Sequence, residues 1–399
     1  MNRMTETTVS SPDELTALCH DLARCPVIGF DTEFIGERSF VPDLCLLQVA
    51  TPDQLILIDP LSVGPLAAFW DLVADPARVA IVHSGREEIR MCHRGGGRPP
   101  GNVFDLQIAA GMVGLGYPLG AGALIQQVTG ERLQKGETLT DWRKRPLTPQ
   151  QVRYAFDDVR FLLRIWETLA AKLEQLGRTA WAAEEFASLT RRSLDEEPGV
   201  ERWRKVGGMG GLDRKKLAVV RALFHWRDAK ADRQNRPART VVRDDLLIEI
   251  ARRSPKEERD LEVMRGLQVK EFPEIVRVVR EARALPPEQW PIAVPREIDP
   301  PQVALITGLL NAILGDFCAR MQLAPSLACS TADVRQLVRC EMTGQPLPTT
   351  NPLAGGWRAA ALVPELRAVL QGQRAIRVAT LDREMPFAVE TLPPGPPPT

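Results

Sequence analysis

The chain has 399 residues, 51 basic and 51 acidic, so its formal charge at neutral pH is zero. That length exceeds one ordinary core and implies two or three domains, and 44% hydrophobic with 26% charged residues excludes a disordered or fibrous chain. Neutral charge also weighs against a nucleic-acid partner, an inference that the motifs oppose.

The first ten residues are polar and are expected to form a loose tail. Ser11-Pro12-Asp13-Glu14 before Leu15, Leu18 and Leu22 reads as a capped amphipathic helix. Three short apolar runs follow at 27–34, 44–50 and 54–59, with links short enough for antiparallel neighbours. A helix is expected over 64–76, a buried strand over VAIVH (79–83), a helix over 85–93 and a short strand at NVFD. Helical periodicity dominates from 106 to about 190. Strands first, then strands alternating with helices, predict a mixed sheet flanked by helices. Residues 194–211 read as a linker, 212–285 and 300–340 as helical, and TLPPGPPPT as a disordered end. No apolar run approaches the roughly 18 to 20 residues of a membrane helix. The N-terminus has no signal-peptide core. Seven scattered cysteines without CxxC imply a reducing cytoplasm and no structural zinc.

Asp31 and Glu33 lie in the first apolar run as Asp-Thr-Glu, and i, i+2 spacing in a strand points both carboxylates to one face. Tyr154 and Asp158 sit four apart in QQVRYAFDDVRFLL, where apolar spacing marks a buried-face helix, so phenol and carboxylate share a face. Glu87 and Glu88 open the helix after the strand at 79–83, where acids also suit the helix dipole. Taken alone, the Asp31/Glu33 and Tyr154/Asp158 pairs read better as solvated or packed surface, and Glu87/Glu88 read as well that way as functionally. Together they suit phosphodiester hydrolysis, in which two divalent ions about 4 Å apart activate water and stabilise the leaving oxygen. Such hard cations take carboxylate oxygens, and a nearby phenol can orient water or move a proton.

These residues fall in DTEFIGERSFVPDLCLLQVA (31–50), VHSGREEIR (82–90) with FDLQIAA (104–110), and DWRKRPLTPQQVRYAFDDVRFLL (141–163). In that order and spacing the chain resembles the ribonuclease D family of the DEDD 3′–5′ exonuclease superfamily, in the subclass with a tyrosine in its third motif. The resemblance implies a ribonuclease-H-like α/β domain with a five-stranded mixed sheet. It implies Asp31, Glu33, Glu88 and Asp158 as ligands of two divalent ions, Mg²⁺ or Mn²⁺, and Tyr154 beside the nucleophilic water. One departure stands out: the family has Asp where this chain has Glu88, an arm longer by one methylene, roughly 1.5 Å. A shift near 1 Å can cost on the order of 100-fold in rate, so retained, reduced activity is expected and a catalytically weakened RNA-binding protein is the alternative. Asp105 matches an aspartate of the family that is usually structural. His83, with no His or Cys partner nearby, is expected to be structural too. Lys135, Trp142 and Arg145, just before the Tyr154 helix, are candidates for backbone contact or base stacking.

Residues 212–285 resemble the HRDC module, carried by Trp226-Arg227, Asn235-Arg236-Pro237 and Asp245-Leu246. Within 201–270 there are 19 basic and 11 acidic residues, a local excess that attracts phosphates in a salt-dependent way; Arg227 and Arg236 are the candidate contacts. Expected units are an exonuclease domain at 11–192, an HRDC domain at 212–288 and a second, degenerate HRDC-like domain at 298–378, with loose tails at 1–10 and 390–399. The resemblance implies an exoribonuclease releasing nucleoside monophosphates from the 3′ end of tRNA precursors or other structured RNA. A DNA exonuclease is the alternative substrate class, since discrimination rests on the 2′-OH. A monomer without membrane or obligatory protein partner is expected.

Overall fold

The computed structural model describes residues 4–36, 39–133, 140–194, 202–292, 299–382 and 385–392. Six strands form one sheet: β1 (Thr5–Val9), β2 (Val27–Ile35), β3 (Asp43–Ala50), β4 (Gln54–Ile58), β5 (Val79–Val82) and β6 (Val103–Asp105), in the order β1-β4-β3-β2-β5-β6. Only β3 runs against the others. β2, β5 and β6 therefore end at the same edge, with Asp105 opposite Val82 and Ile81 opposite Gly29. The expected strands at 27–34, 44–50, 54–59 and 79–83 are all present.

The expected loose start requires correction. Thr5–Val9 is an edge strand paired in parallel with β4, and Val9 and Met4 pack on the cores. Alternating β-branched Thr suits an edge strand whose outer side meets solvent, so the sheet gains a sixth strand. The helix Pro12–Leu22 carries the capping box as read: Ser11 accepts from the Glu14 amide and Glu14 accepts from the Ser11 amide at 3.1 Å. On β2, Gly29 lets the helix Leu162–Gln175 lie directly on the sheet, since a Cβ there would sit 3.1 Å from Leu162 and Leu163.

The HRDC region has a core of its own, formed by Leu217, Leu223, Leu247, Ile250, Ile275 and Val279 among others, around the helices Arg214–Arg233, Asp244–Arg253 and Phe272–Ala284. The last helical region behaves differently. Its residues Val303, Leu310, Leu337, Trp357 and Leu366 belong to the same cluster as Leu106, Met112, Phe161 and Leu169 of the first domain. Trp357 stacks on Trp181 at 5.0 Å, and Arg358 forms a double ion pair with buried Glu185 at 2.5 and 3.1 Å. The guanidinium of buried Arg178 donates to the carbonyls of Met112 (2.6 Å) and Gln322 (2.9 Å), tying the same two regions.

The helix Pro301–Arg320 corrects the reading of apolar runs: among the described residues it is one helix long and apolar enough to cross a membrane, with mean hydropathy 1.5. Gly, Asn and Asp interrupt its apolar text, yet the average stays high. Here Leu310, Ile313 and Cys318 are buried in protein, and Asp316 pairs with Arg320 at 2.7 Å. The end of the chain is also more ordered than its proline content implied. β7 (Arg374–Val378) and β8 (Phe387–Thr391) form an antiparallel hairpin, so Glu390 and Thr391 of the expected tail lie in a strand. The rest of that tail from 393 lies outside the described residues. All seven cysteines are free thiols.

Candidate active site

β2 carries Asp31 and Glu33 to the carboxyl edge of the sheet. They share parity with Gly29, whose face is covered by Leu162 and Leu163, so they face the helices that follow Thr148. The first of these, Pro149–Arg160, starts with Pro at its first turn and a capping box: Thr148 accepts from the Gln151 amide (3.1 Å) and the Gln151 side chain from the Thr148 amide (2.9 Å). Ala155, Phe156 and Val159 anchor its buried side, leaving Tyr154 and Asp158 one turn apart beside β2.

The charges interact strongly. Burial first, then repulsion from Asp31 and Glu88, pushes Glu33 up to about 8. Burial and then Glu33 push Asp158 up to about 8. Asp31 is raised by burial and by Asp158, although the Thr32 amide donates to it at 2.8 Å. Tyr154 is raised by burial and then by Asp158, Glu33 and Asp31, so it stays a phenol at neutral pH. Asp158 Oδ2 is sealed from solvent with no hydrogen-bond partner.

Glu88 approaches from the other face. The helix Arg86–Gly96 packs Ile89 and Cys92 with Phe30, whose parity Thr32 shares. Buried Glu88 accepts a hydrogen bond from the Thr32 hydroxyl at 2.6 Å. Burial and then Asp31 raise it, with the Thr32 bond opposing. One carboxylate oxygen is thus held on the Thr32 side, and among the described residues no three acidic, His or Cys groups are drawn close enough to hold an ion unaided. The donor set nevertheless fits a hard divalent cation. It is anionic and all oxygen, and its mutual repulsion and the orphaned Asp158 oxygen are what positive charge would relieve.

Asp105 is structural: its carboxylate accepts from the amides of Gln107 (2.9 Å), Ile108 (3.0 Å) and Gly85 (2.9 Å), fixing the start of the Glu88 helix. His83 Nε2 pairs with the Leu119 carbonyl at 2.9 Å.

Four of the expected nucleic-acid contacts are placed elsewhere. Trp142 is 2% exposed and packs behind Tyr154, ring centroids 5.9 Å apart, so it cannot stack on a base. Arg145 is spent on Asp59 (2.7 and 2.8 Å) and on the carbonyls of Trp142 and Cys45, pinning the approach to the Tyr154 helix to the sheet. Burial pushes Asp59 up, but this pairing outweighs it and holds the carboxyl below its usual range. Arg227 is 5% exposed and bound to Asp244 at 2.5 Å and the Val242 carbonyl. Arg236 turns inward toward Glu271 at 3.8 Å. In both arginines the HRDC core and its carboxylates outcompete solvent. Lys135 lies outside the described residues.

Two contributors were not foreseen. Thr32 faces away from the carboxylate pair, so strand alternation removes it from consideration. Asn235 accepts from the Phe40 (3.1 Å) and Val41 (3.2 Å) amides, joining the HRDC domain to the loop after β2, a contact across some 195 residues with no local signal.

The mixed sheet, with acidic residues from β2 and from helices on both its faces meeting at one edge, defines a 3′–5′ exonuclease. Residues 7–174 match the 3′–5′ exonuclease domain family and 216–275 the HRDC domain. The chain is 32% identical over 381 residues to the ribonuclease D of Granulibacter bethesdensis, covering 93% of this chain and 94% of that one. It is 31% identical over 376 residues to that of Gluconacetobacter diazotrophicus, with the same coverage. Among solved structures it is similar to Escherichia coli RNase D, described as an exoribonuclease involved in structured RNA processing. That likeness has a TM-score of 0.81 at 27% identity, over 92% of this chain and 99% of that one. The chain belongs to the ribonuclease D family and is by class a 3′–5′ exoribonuclease.

Proposed function

We propose that this exoribonuclease is metal-dependent and releases nucleoside monophosphates from the 3′ ends of tRNA precursors or other structured RNA. The observation that carries the reading is the buried, mutually repelling set Asp31, Glu33 and Asp158 with an orphaned carboxylate oxygen. These three, with Glu88, would hold two divalent ions, Mg²⁺ or Mn²⁺, which supply charge stabilisation for the attacking and leaving oxygens. Tyr154, kept protonated by its surroundings, orients the attacking water through its hydroxyl. Thr32 holds Glu88, and Asp31 and Glu33 are held by β2 itself, so little reorganisation is left for the moment of reaction. The chain acts without a membrane or an obligatory protein partner, as a cytoplasmic monomer.

The test is trimming of matched 5′-labelled RNA and DNA in Mg²⁺, Mn²⁺ or EDTA, by the parent chain and Glu88→Asp. Metal-dependent shortening of RNA by the parent is expected. Faster DNA shortening would move the substrate class to DNA. An active Glu88→Asp beside an inert parent would refute a working role for Glu88. That second reading, a weakened nuclease that retains RNA, is favoured by the Thr32 bond that draws Glu88 toward the opposite face.

A further inference from the structure

We propose that the cleft between the exonuclease and HRDC domains binds a run of RNA backbone phosphates leading to the active site. The proposal rests on the exoribonuclease reading and adds the path of the strand.

The cleft starts at the catalytic edge of the sheet. A cavity of about 530 Å³ is lined by Ser84, Asp105 and Gln107, at or just after the ends of β5 and β6, of which β5 is the neighbour of β2. It shares Arg86, Ser193 and Lys205 with a second cavity of about 660 Å³ that reaches Phe224 and Asp244 of the HRDC domain. The two form one continuous groove. Phe40 lines its outer part, and the Asn235 bonds to Phe40 and Val41 fasten that wall to the HRDC side.

Among the described residues its lining is mainly basic. The helix Arg86–Gly96 supplies Arg86, Arg90, His93 and Arg94, and the turn Arg202–Lys205 supplies Arg202 and Lys205. Arg90 is committed to Glu87 (2.5 Å) and the Ser193 carbonyl (2.9 Å), and Arg202 to Asp228 (3.3 Å). Arg86, Arg94 and Lys205 are exposed and have no anionic partner among the described residues. The acids on the walls are already satisfied: Asp244 by Arg227, Asp105 by three amides.

Among the described residues three exposed cations without an anionic partner face one groove, a positive potential that attracts anions. Arg86 and Arg94 are eight residues apart on one helix, about 12 Å. At about 3.4 Å per stacked nucleotide that separation spans three to four nucleotides, which suits a polymer of phosphates rather than one small anion. The same helix presents Glu88 to the active site from its buried side. RNA held along its exposed side would lie about one helix diameter, roughly 10 Å, from that carboxylate.

The test uses the full chain with Arg94→Gln/Lys205→Gln, and Lys256→Gln/Lys270→Gln as an equal change of charge on exposed HRDC residues outside the cleft. Affinity for a single-stranded RNA 20-mer is read by fluorescence anisotropy in EDTA across a salt series, with thermal melting as the check of folding. Each lost phosphate contact lowers the salt slope by about 0.7, so the cleft variant should lose about 1.4 in slope and bind about 25-fold more weakly at 0.1 M salt. The control pair should change neither. An unchanged slope in the cleft variant, or an equal loss in the control, overturns the proposal. So does displacement of RNA by inorganic phosphate at equal phosphorus concentration, which marks a single-anion site. Trimming of the same RNA by the parent in Mn²⁺ separates the two readings. Failure to trim with cleft-dependent binding removes only the nuclease reading, and trimming with cleft-independent binding removes only this one.

Discussion

Asp158→Asn removes one buried negative charge at nearly constant shape. In the cation-free protein this carboxyl is raised to about 8, by burial first and Glu33 second, against about 4 in an unfolded chain. A raised carboxyl pKa means that the folded state holds the proton more tightly. Stability is then intact below about pH 4 and is lost progressively as pH rises through about 8. Four pH units at about 1.36 kcal/mol each give a ceiling near 5 kcal/mol at pH 8. Asp31, Glu33 and Glu88 share the same repulsion, and protonating one relieves the rest, so about 1–3 kcal/mol of this is expected on substitution. At about 2.1 cal/mol/K per residue that amounts to roughly 1–4 °C in melting temperature for a chain of this length. Thermal melts in EDTA should show the variant above the parent at pH 8 and level with it near pH 4. Added Mn²⁺ should raise the parent and leave the variant behind, because only the parent keeps the full donor set. Equal melting in EDTA at pH 8, or the same gain at both pH values, refutes the view of this site as a repulsive cation receptor.

Trp142→Ala should cost about 3–5 kcal/mol of stability by emptying a buried ring site. It should lower kcat by loosening Tyr154 while the Kd for RNA stays constant; a weakened Kd with unchanged kcat would restore the stacking role. Arg145→Ala leaves Asp59 unpaired in a largely buried place and should cost about 3 kcal/mol by chemical denaturation, and Asp59→Asn in the same background should recover part of it. Asn235→Ala removes the acceptor of two loop amides, worth roughly 1–2 kcal/mol locally. Hydrogen exchange at Phe40 and Val41 should accelerate while the HRDC core stays protected, and unchanged exchange would refute the link.

Strands β2 to β6 were legible because each is a short apolar run bounded by turn residues, and alternation alone put Asp31 and Glu33 on one face. Helical spacing did the same for Tyr154 and Asp158. β1 escaped notice because its Thr-rich text buries only Val9, and its partner residues lie 49 positions away. Trp142 and Arg145 show a different limit: a residue type suited to nucleic acid is equally suited to packing, and Asp59, which decides the matter for Arg145, is 86 residues distant. The helices after 300 were visible as helices. Periodicity reports which side is apolar and not which neighbour covers it, so their union with the first domain was invisible.

That union has a consequence for the newly made chain. The core under the catalytic helices is closed by Trp357, Leu362 and Leu366, while the HRDC residues between form a separate body. During synthesis the exonuclease text is complete at about residue 174, yet the layer that buries its apolar underside arrives some 190 residues later, roughly 10–40 s at ordinary elongation rates. Throughout that interval Trp181 lacks the Trp357 ring and buried Glu185 lacks both its Trp357 and Arg358 partners. A chain ended before Trp357 would leave the Glu185 carboxylate buried and unpaired, the costliest arrangement for such a group, so it should melt below the full chain.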